Sequence, residues 1–130
     1  MSEITRILDR GYTLIWREGR VEDALRGLED DFEWVVPDYA EGAVRHGPDS
    51  VIEFFREWME PWEKLDIDWE LEEAGPDAAL ASIEMRGQGR VSGVPAEMRV
   101  FQLWTFRDGR AVRMEMFTDL DEARREAGLE

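Results

Sequence analysis

At 130 residues the chain is the size of one folded domain, long enough to bury roughly two-thirds of the surface its unfolded form exposes. Its 31 acidic and 16 basic residues leave a net charge of −15, which repels phosphate backbones and anionic lipid surfaces, so neither nucleic acid nor membrane is an expected partner. The absence of cysteine excludes a disulfide framework, a thiol nucleophile and a thiolate metal site. With a charged N-terminal stretch, MSEITRILDRGY, and no apolar run near the ~20 residues of a membrane span, a cytoplasmic protein is the expectation.

From Ser2, a candidate N-cap, the residues Ile4, Ile7, Leu8, Tyr12, Ile15 and Trp16 recur at helical spacing until Gly19 stops the pattern. A shorter helix follows from Val21 through Leu28, with Val21, Ala24, Leu25 and Leu28 in one stripe. Phe32, Trp34 and Val36 then alternate with Glu33 and Val35 as a strand that Pro37 ends. Asp38 to Gly47 reads as a loop. Pro48 suits the first turn of a third helix, whose Val51, Phe54, Phe55, Trp58 and Trp62 form a broad aromatic face before Pro61 ends or kinks it.

Leu65, Ile67, Trp69 and Leu71 alternate with carboxylates and must share one face of a strand. After a turn at Gly75-Pro76-Asp77, a strand from Ala78 to Arg86 carries Ala81, Ile83 and Met85 on one side. Gly87 to Pro95, with three glycines and a proline, reads as a flexible connection.

The segment Ala96 to Asp119 is a β-hairpin about Asp108-Gly109. A two-residue turn would set Gln102 opposite Glu115. The preferred alternative, a three-residue loop with Gly109 as a left-handed bulge residue, sets it opposite Met114 and gathers Val100, Gln102, Trp104, Phe106, Val112, Met114, Met116 and Thr118 on one face. Phe101, Leu103, Thr105, Ala111, Arg113, Glu115 and Phe117 take the other. Since neither face is simply polar, the sheet should be covered twice, once by its own helices and once by another subunit, which makes a homodimer the expected assembly. A short helix, Leu120 to Ala127, closes the chain from an Asp119 N-cap to Gly128. The sum is an α+β fold: a cone-shaped half-barrel in which a curved antiparallel sheet packs on N-terminal helices.

This element order, with LEDDFEWVVPD, the aromatic third helix, QLWTFRDGRAVR and the closing TDLDEAR, resembles the SnoaL-like branch of the nuclear-transport-factor-2-like superfamily over nearly the whole chain. The superfamily hosts ketosteroid isomerase, polyketide cyclases, epoxide hydrolases, dehydratases and non-catalytic binding modules, and fold alone does not choose among them. The resemblance implies a pocket inside the cone and pairing of subunits through the outer sheet face. It also places Tyr12 of RGYTLIW where the isomerase has an oxyanion-hole tyrosine, and Gln102 of FQLW where it has a protonated aspartic acid. The aspartate base lies just before the proline of the first strand, and here Val36 takes that place; Asp38 lies two residues on, which is not a match. Met116 falls near one aspartate of the epoxide-hydrolase pattern.

Tyr12 and Gln102 are therefore the candidate catalytic residues, each able to hydrogen-bond an oxygen. The plainer alternatives are a core tyrosine bonded to a backbone carbonyl and a glutamine bonded to Tyr12 or to backbone. Trp16, Trp34, Val36, Phe54, Trp58, Met85, Trp104, Met114 and Met116 are the candidate pocket walls, as flat apolar ligands favour aromatic and thioether surfaces. His46, the lone histidine, reads as a surface residue. No metal is expected, because one histidine and scattered carboxylates give no ligand spacing. No cofactor is expected either, because Gly87-Gln-Gly89 leads into no helix that could cradle a phosphate. Two functions stay open: binding of a small hydrophobic molecule, with isomerase, cyclase or dehydratase activity as one form of it, or a non-catalytic dimeric interaction module with a filled core.

Overall fold

A computed structural model of the protein describes residues 2–36 and 43–129. Helix α1, Glu3–Trp16, starts where the Ser2 hydroxyl accepts the Thr5 N–H, and it turns Leu8, Tyr12 and Ile15 inward at the spacing of one helical face. Helix α2, Val21–Leu25, is three residues shorter than its apolar stripe suggested, because Leu28 N–H bonds to the Leu25 carbonyl in a tighter final turn. Strand β1, Glu33–Val36, buries Trp34 and Val36, and Phe32 just before it is also buried.

The stretch read as a loop before the third helix contains a strand, β2, Ala43–His46, which pairs antiparallel with β1. Asp38 lies outside the described residues. Helix α3, Gly47–Met59, follows at once, and Trp62, read as its last apolar position, instead opens strand β3, Trp62–Glu73. Leu65, Ile67, Trp69 and Leu71 of β3 all meet the core, leaving Asp66, Asp68, Glu70 and Glu72 on the outer face.

Strand β4, Ala78–Gly89, runs three residues past the expected Arg86. Its glycines are strand residues for a packing reason: a Cβ on Gly87 would sit 2.8 Å from the Trp62 ring, so the indole lies where only glycine leaves room. Strand β5, Pro95–Arg107, and strand β6, Arg110–Phe117, form the hairpin, and helix α4, Leu120–Glu126, begins at Asp119, whose side chain accepts the Asp121 N–H.

The hairpin corrects both registers weighed from the sequence. Asp108 and Gly109 have φ of 53° and 80°, the pair of positive values that a two-residue type I′ turn requires. A bulge then leaves Val112 unpaired between the Phe106–Ala111 and Thr105–Arg113 pairs, so Gln102 faces Met116 and Trp104 faces Met114. The bulge keeps Met114 and Met116 on the concave face beside Gln102 and Trp104. Without it a turn this tight would have brought Glu115 there instead. Ala111, expected outside, is buried in the core opposite Phe106.

The six strands run in the order β2-β1-β6-β5-β4-β3, antiparallel except for the parallel pair β1–β6. The architecture is α+β, with the N-terminal helices against a curved sheet. On the outer face, Leu80, Phe101 and Phe117 are buried under Ala123 of α4, with Leu103 and Leu129 packed beside them. The chain's own C-terminal helix thus covers this part of the outer face.

Candidate functional site

Between α1, α3 and the concave strands lies a cavity of about 250 Å³. Alternation along β4 and β5 aims Ile83, Met85, Val100, Gln102 and Trp104 into it. Helix α1 contributes Tyr12, Ile15 and Trp16, helix α3 contributes Phe54, Phe55 and Trp58, and β1 contributes Trp34 and Val36. The mouth lies where β1 and β6 end and β5 begins, since Met98 and Thr118, the most exposed lining residues, sit at that end with Val36 and Met116.

Of the residues singled out from the sequence, Tyr12, Gln102, Trp16, Trp34, Val36, Phe54, Trp58, Met85, Trp104 and Met116 all line this space. Met114 does not: it is wholly buried behind Trp104, a core residue and not a wall. His46 lies on the surface, its Nε2 3.9 Å from a Glu33 carboxylate oxygen. Ile15, Leu25, Phe55, Ile83, Met98, Val100 and Thr118 were missed as wall residues. Ile83 and Val100 could have been found, because strand alternation puts them beside Met85 and Gln102. Leu25 and Phe55 carried no signal separating wall from core.

The polar groups of the cavity form one directed chain. The Trp104 indole N–H donates to the Tyr12 hydroxyl oxygen at 2.8 Å, and the Tyr12 hydroxyl donates to Gln102 Oε1 at 2.5 Å. An indole can only donate, so the tyrosine oxygen must accept from Trp104, and its own proton is left for the amide oxygen. Burial pushes the Tyr12 phenol far above its ordinary range, while the Trp104 hydrogen bond pulls weakly the other way; the group stays protonated at any physiological pH. Trp69 stacks on Tyr12 at 5.6 Å between centroids and is itself held by Asp9, which accepts its indole N–H at 2.9 Å. The Tyr12 hydroxyl is thereby engaged on both sides, the plainer of its two sequence readings in kind, although its partner is a side chain and not a backbone carbonyl.

Among the described residues, the indole N–H groups of Trp16 and Trp58 and two more deeply buried donors in the wall have no protein partner. Gln102 makes no hydrogen bond through Nε2 among the described residues. The Trp34 indole N–H is the one buried side-chain polar atom there without a partner, enclosed by Phe32, Phe54, Phe55 and Trp104 rings. No described lining residue bears a carboxylate, imidazole, ammonium or guanidinium group. Nor do the described residues contain a cluster of three or more His, Asp or Glu able to hold a metal ion.

On the far side of Tyr12 and Trp104, toward Phe106, Ala111 and Arg110, is a second apolar cavity of about 160 Å³. Tyr12, Ile15, Leu25 and Trp104 belong to both walls and form the partition between them. Arg110 closes that end by donating to the Gly27 and Leu28 carbonyls and pairing with Glu29.

A cone of helices on a curved sheet, enclosing an apolar cavity, defines the nuclear-transport-factor-2-like class. Within it, residues 8–114 match the SnoaL-like domain, and the chain belongs to that family. Solved structures are similar over almost the full length. An NTF2-like protein of unknown function from Burkholderia pseudomallei K96243 is 27% identical, with 96% of this chain and 97% of that one aligned and a TM-score of 0.77. TerC, crystallised with polyporic acid, is 24% identical over 98% of this chain and 99% of its own, with a TM-score of 0.75. A candidate SnoaL-like polyketide cyclase from Jannaschia sp. CCS1 is 19% identical over 92% and 88%, with a TM-score of 0.78. No curated protein matches the sequence.

Proposed function

We propose that the protein binds a small, uncharged, ring-containing hydrophobic molecule bearing an oxygen, and that it does so in the cavity beneath Tyr12 and Gln102. The observation that carries this is the composition of the wall: among the described residues it is built of aromatic, aliphatic and thioether side chains, with one amide, two hydroxyls and no charged group. A designed cavity of about 150 Å³ takes benzene, so about 250 Å³ suits a bicyclic skeleton. Ionised ligands are disfavoured, because no charge on a described lining residue would offset their desolvation. Proton-transfer chemistry of the isomerase kind finds no base among the described lining residues, Val36 standing at the position where the family resemblance expects one. Any turnover would rest on hydrogen bonding to an oxygen and on holding the ligand in one conformation. The open volume counts against the other reading, a module whose cone is filled by its own side chains.

The test is a titration with a neutral bicyclic probe, 1-tetralone, followed by the fluorescence of the lining tryptophans, with Val100→Phe as the blocking variant. Saturable quenching in the wild type, lost in a folded Val100→Phe protein, is the expected result. Equal binding by the filled variant would place the ligand elsewhere and sink the reading.

A further inference from the structure

We infer that the polar end of the cavity is wired as a hydrogen-bond donor and selects carbonyl acceptors over hydroxyl-bearing ligands of the same shape, an inference that rests on the binding site proposed above. The direction is set three side chains deep. Trp104 has one polar group, an N–H, and spends it on the Tyr12 oxygen; Tyr12 then spends its proton on Gln102 Oε1. An amide rotated by half a turn would set its NH₂ against a tyrosine whose proton has no acceptor, so the orientation with Oε1 toward Tyr12 is the satisfied one. What Gln102 has left wholly unengaged is Nε2 with its N–H groups, while Oε1 holds the Tyr12 proton and keeps one lone pair.

The rest of the wall agrees in sign. The lining indoles of Trp16, Trp34 and Trp58 can donate and cannot accept, and the Trp34 N–H is buried without a partner. A ketone or quinone oxygen meets this environment with both sides satisfied. An alcohol or phenol of equal size can accept from Gln102, but its own proton is then left with only the spare lone pair of an Oε1 already engaged by Tyr12, or with Thr118 out at the mouth, the kind of shortfall on which small sites discriminate. Tyr12 acts here as a positioning residue: it touches the ligand less than it dictates which end of Gln102 the ligand meets.

Three probes on one skeleton test this: tetralin, 1-tetralone and 1-tetralol, each titrated against wild type, Gln102→Met and Tyr12→Phe. In the wild type, 1-tetralone should bind roughly three- to tenfold more tightly than tetralin, as one net hydrogen bond allows, and 1-tetralol no better than tetralin. Gln102→Met, similar in size and apolar, should reduce 1-tetralone to the tetralin level. Tyr12→Phe frees the amide to turn, so the ketone-to-alcohol ratio should fall toward one while tetralin affinity stays within about twofold, a pattern that mere loosening of the wall would not produce. If all three probes bind the wild type equally, or the alcohol binds best, donor wiring is overturned and the site survives. If none binds, the site itself is wrong and this inference falls with it.

Discussion

Removing the Tyr12 hydroxyl gives the most direct measure of how firmly the partition is held. Tyr12→Phe leaves the ring stacked on Trp69 and deletes one oxygen, which strands two buried partners at once, the Trp104 N–H and Gln102 Oε1. Each orphaned buried group costs about 1–3 kcal/mol, and the neighbouring cavity can admit water to one of them, so about 2 kcal/mol is the expected loss. For a domain of this size that corresponds to a fall in Tm of roughly 6–10 °C. Gln102→Leu strands only the tyrosine proton and should cost about half as much. The double variant leaves only the Trp104 N–H unmet, so its cost should undercut the sum of the singles by about 1 kcal/mol, as expected for residues of one network. Guanidinium denaturation followed by circular dichroism measures all three. A Tyr12→Phe protein within about 0.5 kcal/mol of wild type, or strictly additive costs, would refute the network.

Other substitutions separate packing, turn and charge effects. Leu25→Ala, at a buried position shared by both cavities, should join them, cost about 2–4 kcal/mol and let ligands longer than a bicyclic ring bind, which calorimetry with 1-tetralone and a phenyl-substituted tetralone can compare. Gly109→Ala, at φ 80°, should destabilise by about 1 kcal/mol, whereas Asp108→Gly, at φ 53°, should be neutral or slightly stabilising in the same denaturation assay. Asp68 accepts hydrogen bonds from Arg86 at 2.6 Å and Arg17 at 3.2 Å, and chiefly the former holds its carboxyl below the usual range. Because the folded value is the lower one, its contribution is present above the ordinary carboxylate pKa and disappears as the pH falls through the depressed value. Asp68→Asn should therefore flatten part of the acid limb of a stability-against-pH curve, and an unchanged limb would contradict that.

Local patterns carried much of this molecule. The spacing of Leu8, Tyr12 and Ile15 and the alternation of Phe32, Trp34 and Val36 each point one way at close range, and burial followed. Strand β2 was not legible because four residues with one outward valine carry no period; it exists because β1 offers an edge, a long-range fact. The bulge at Val112 was equally hidden, since valine fits a ladder or a bulge alike and only the shared need of Ala111 and Met114 for the core decides between them. At the site, Tyr12 and Gln102 could be paired from the sequence as one of two plain alternatives. Their direction could not, because it is dictated by Trp104, 92 positions from Tyr12 and noticed only for its size.

Among the described residues the sheet ends on one side at β3, a strand of 12 residues with no neighbour beyond it. An edge that long is an invitation for another copy to dock a strand and for chains to grow end on end. Asp66, Asp68, Glu70 and Glu72 give that strand an acidic outer face, offset in part where Asp68 pairs with Arg17 and Arg86 and Glu72 with Arg124, and a second identical strand brought alongside would meet the like charges that remain. With salt screening such charges beyond about 8 Å, the guard works only at close approach. Removing two of those charges, as in Asp66→Asn with Glu70→Gln, should turn a solitary rim into an adhesive one, and a rise in light scattering over wild type at equal concentration would report it.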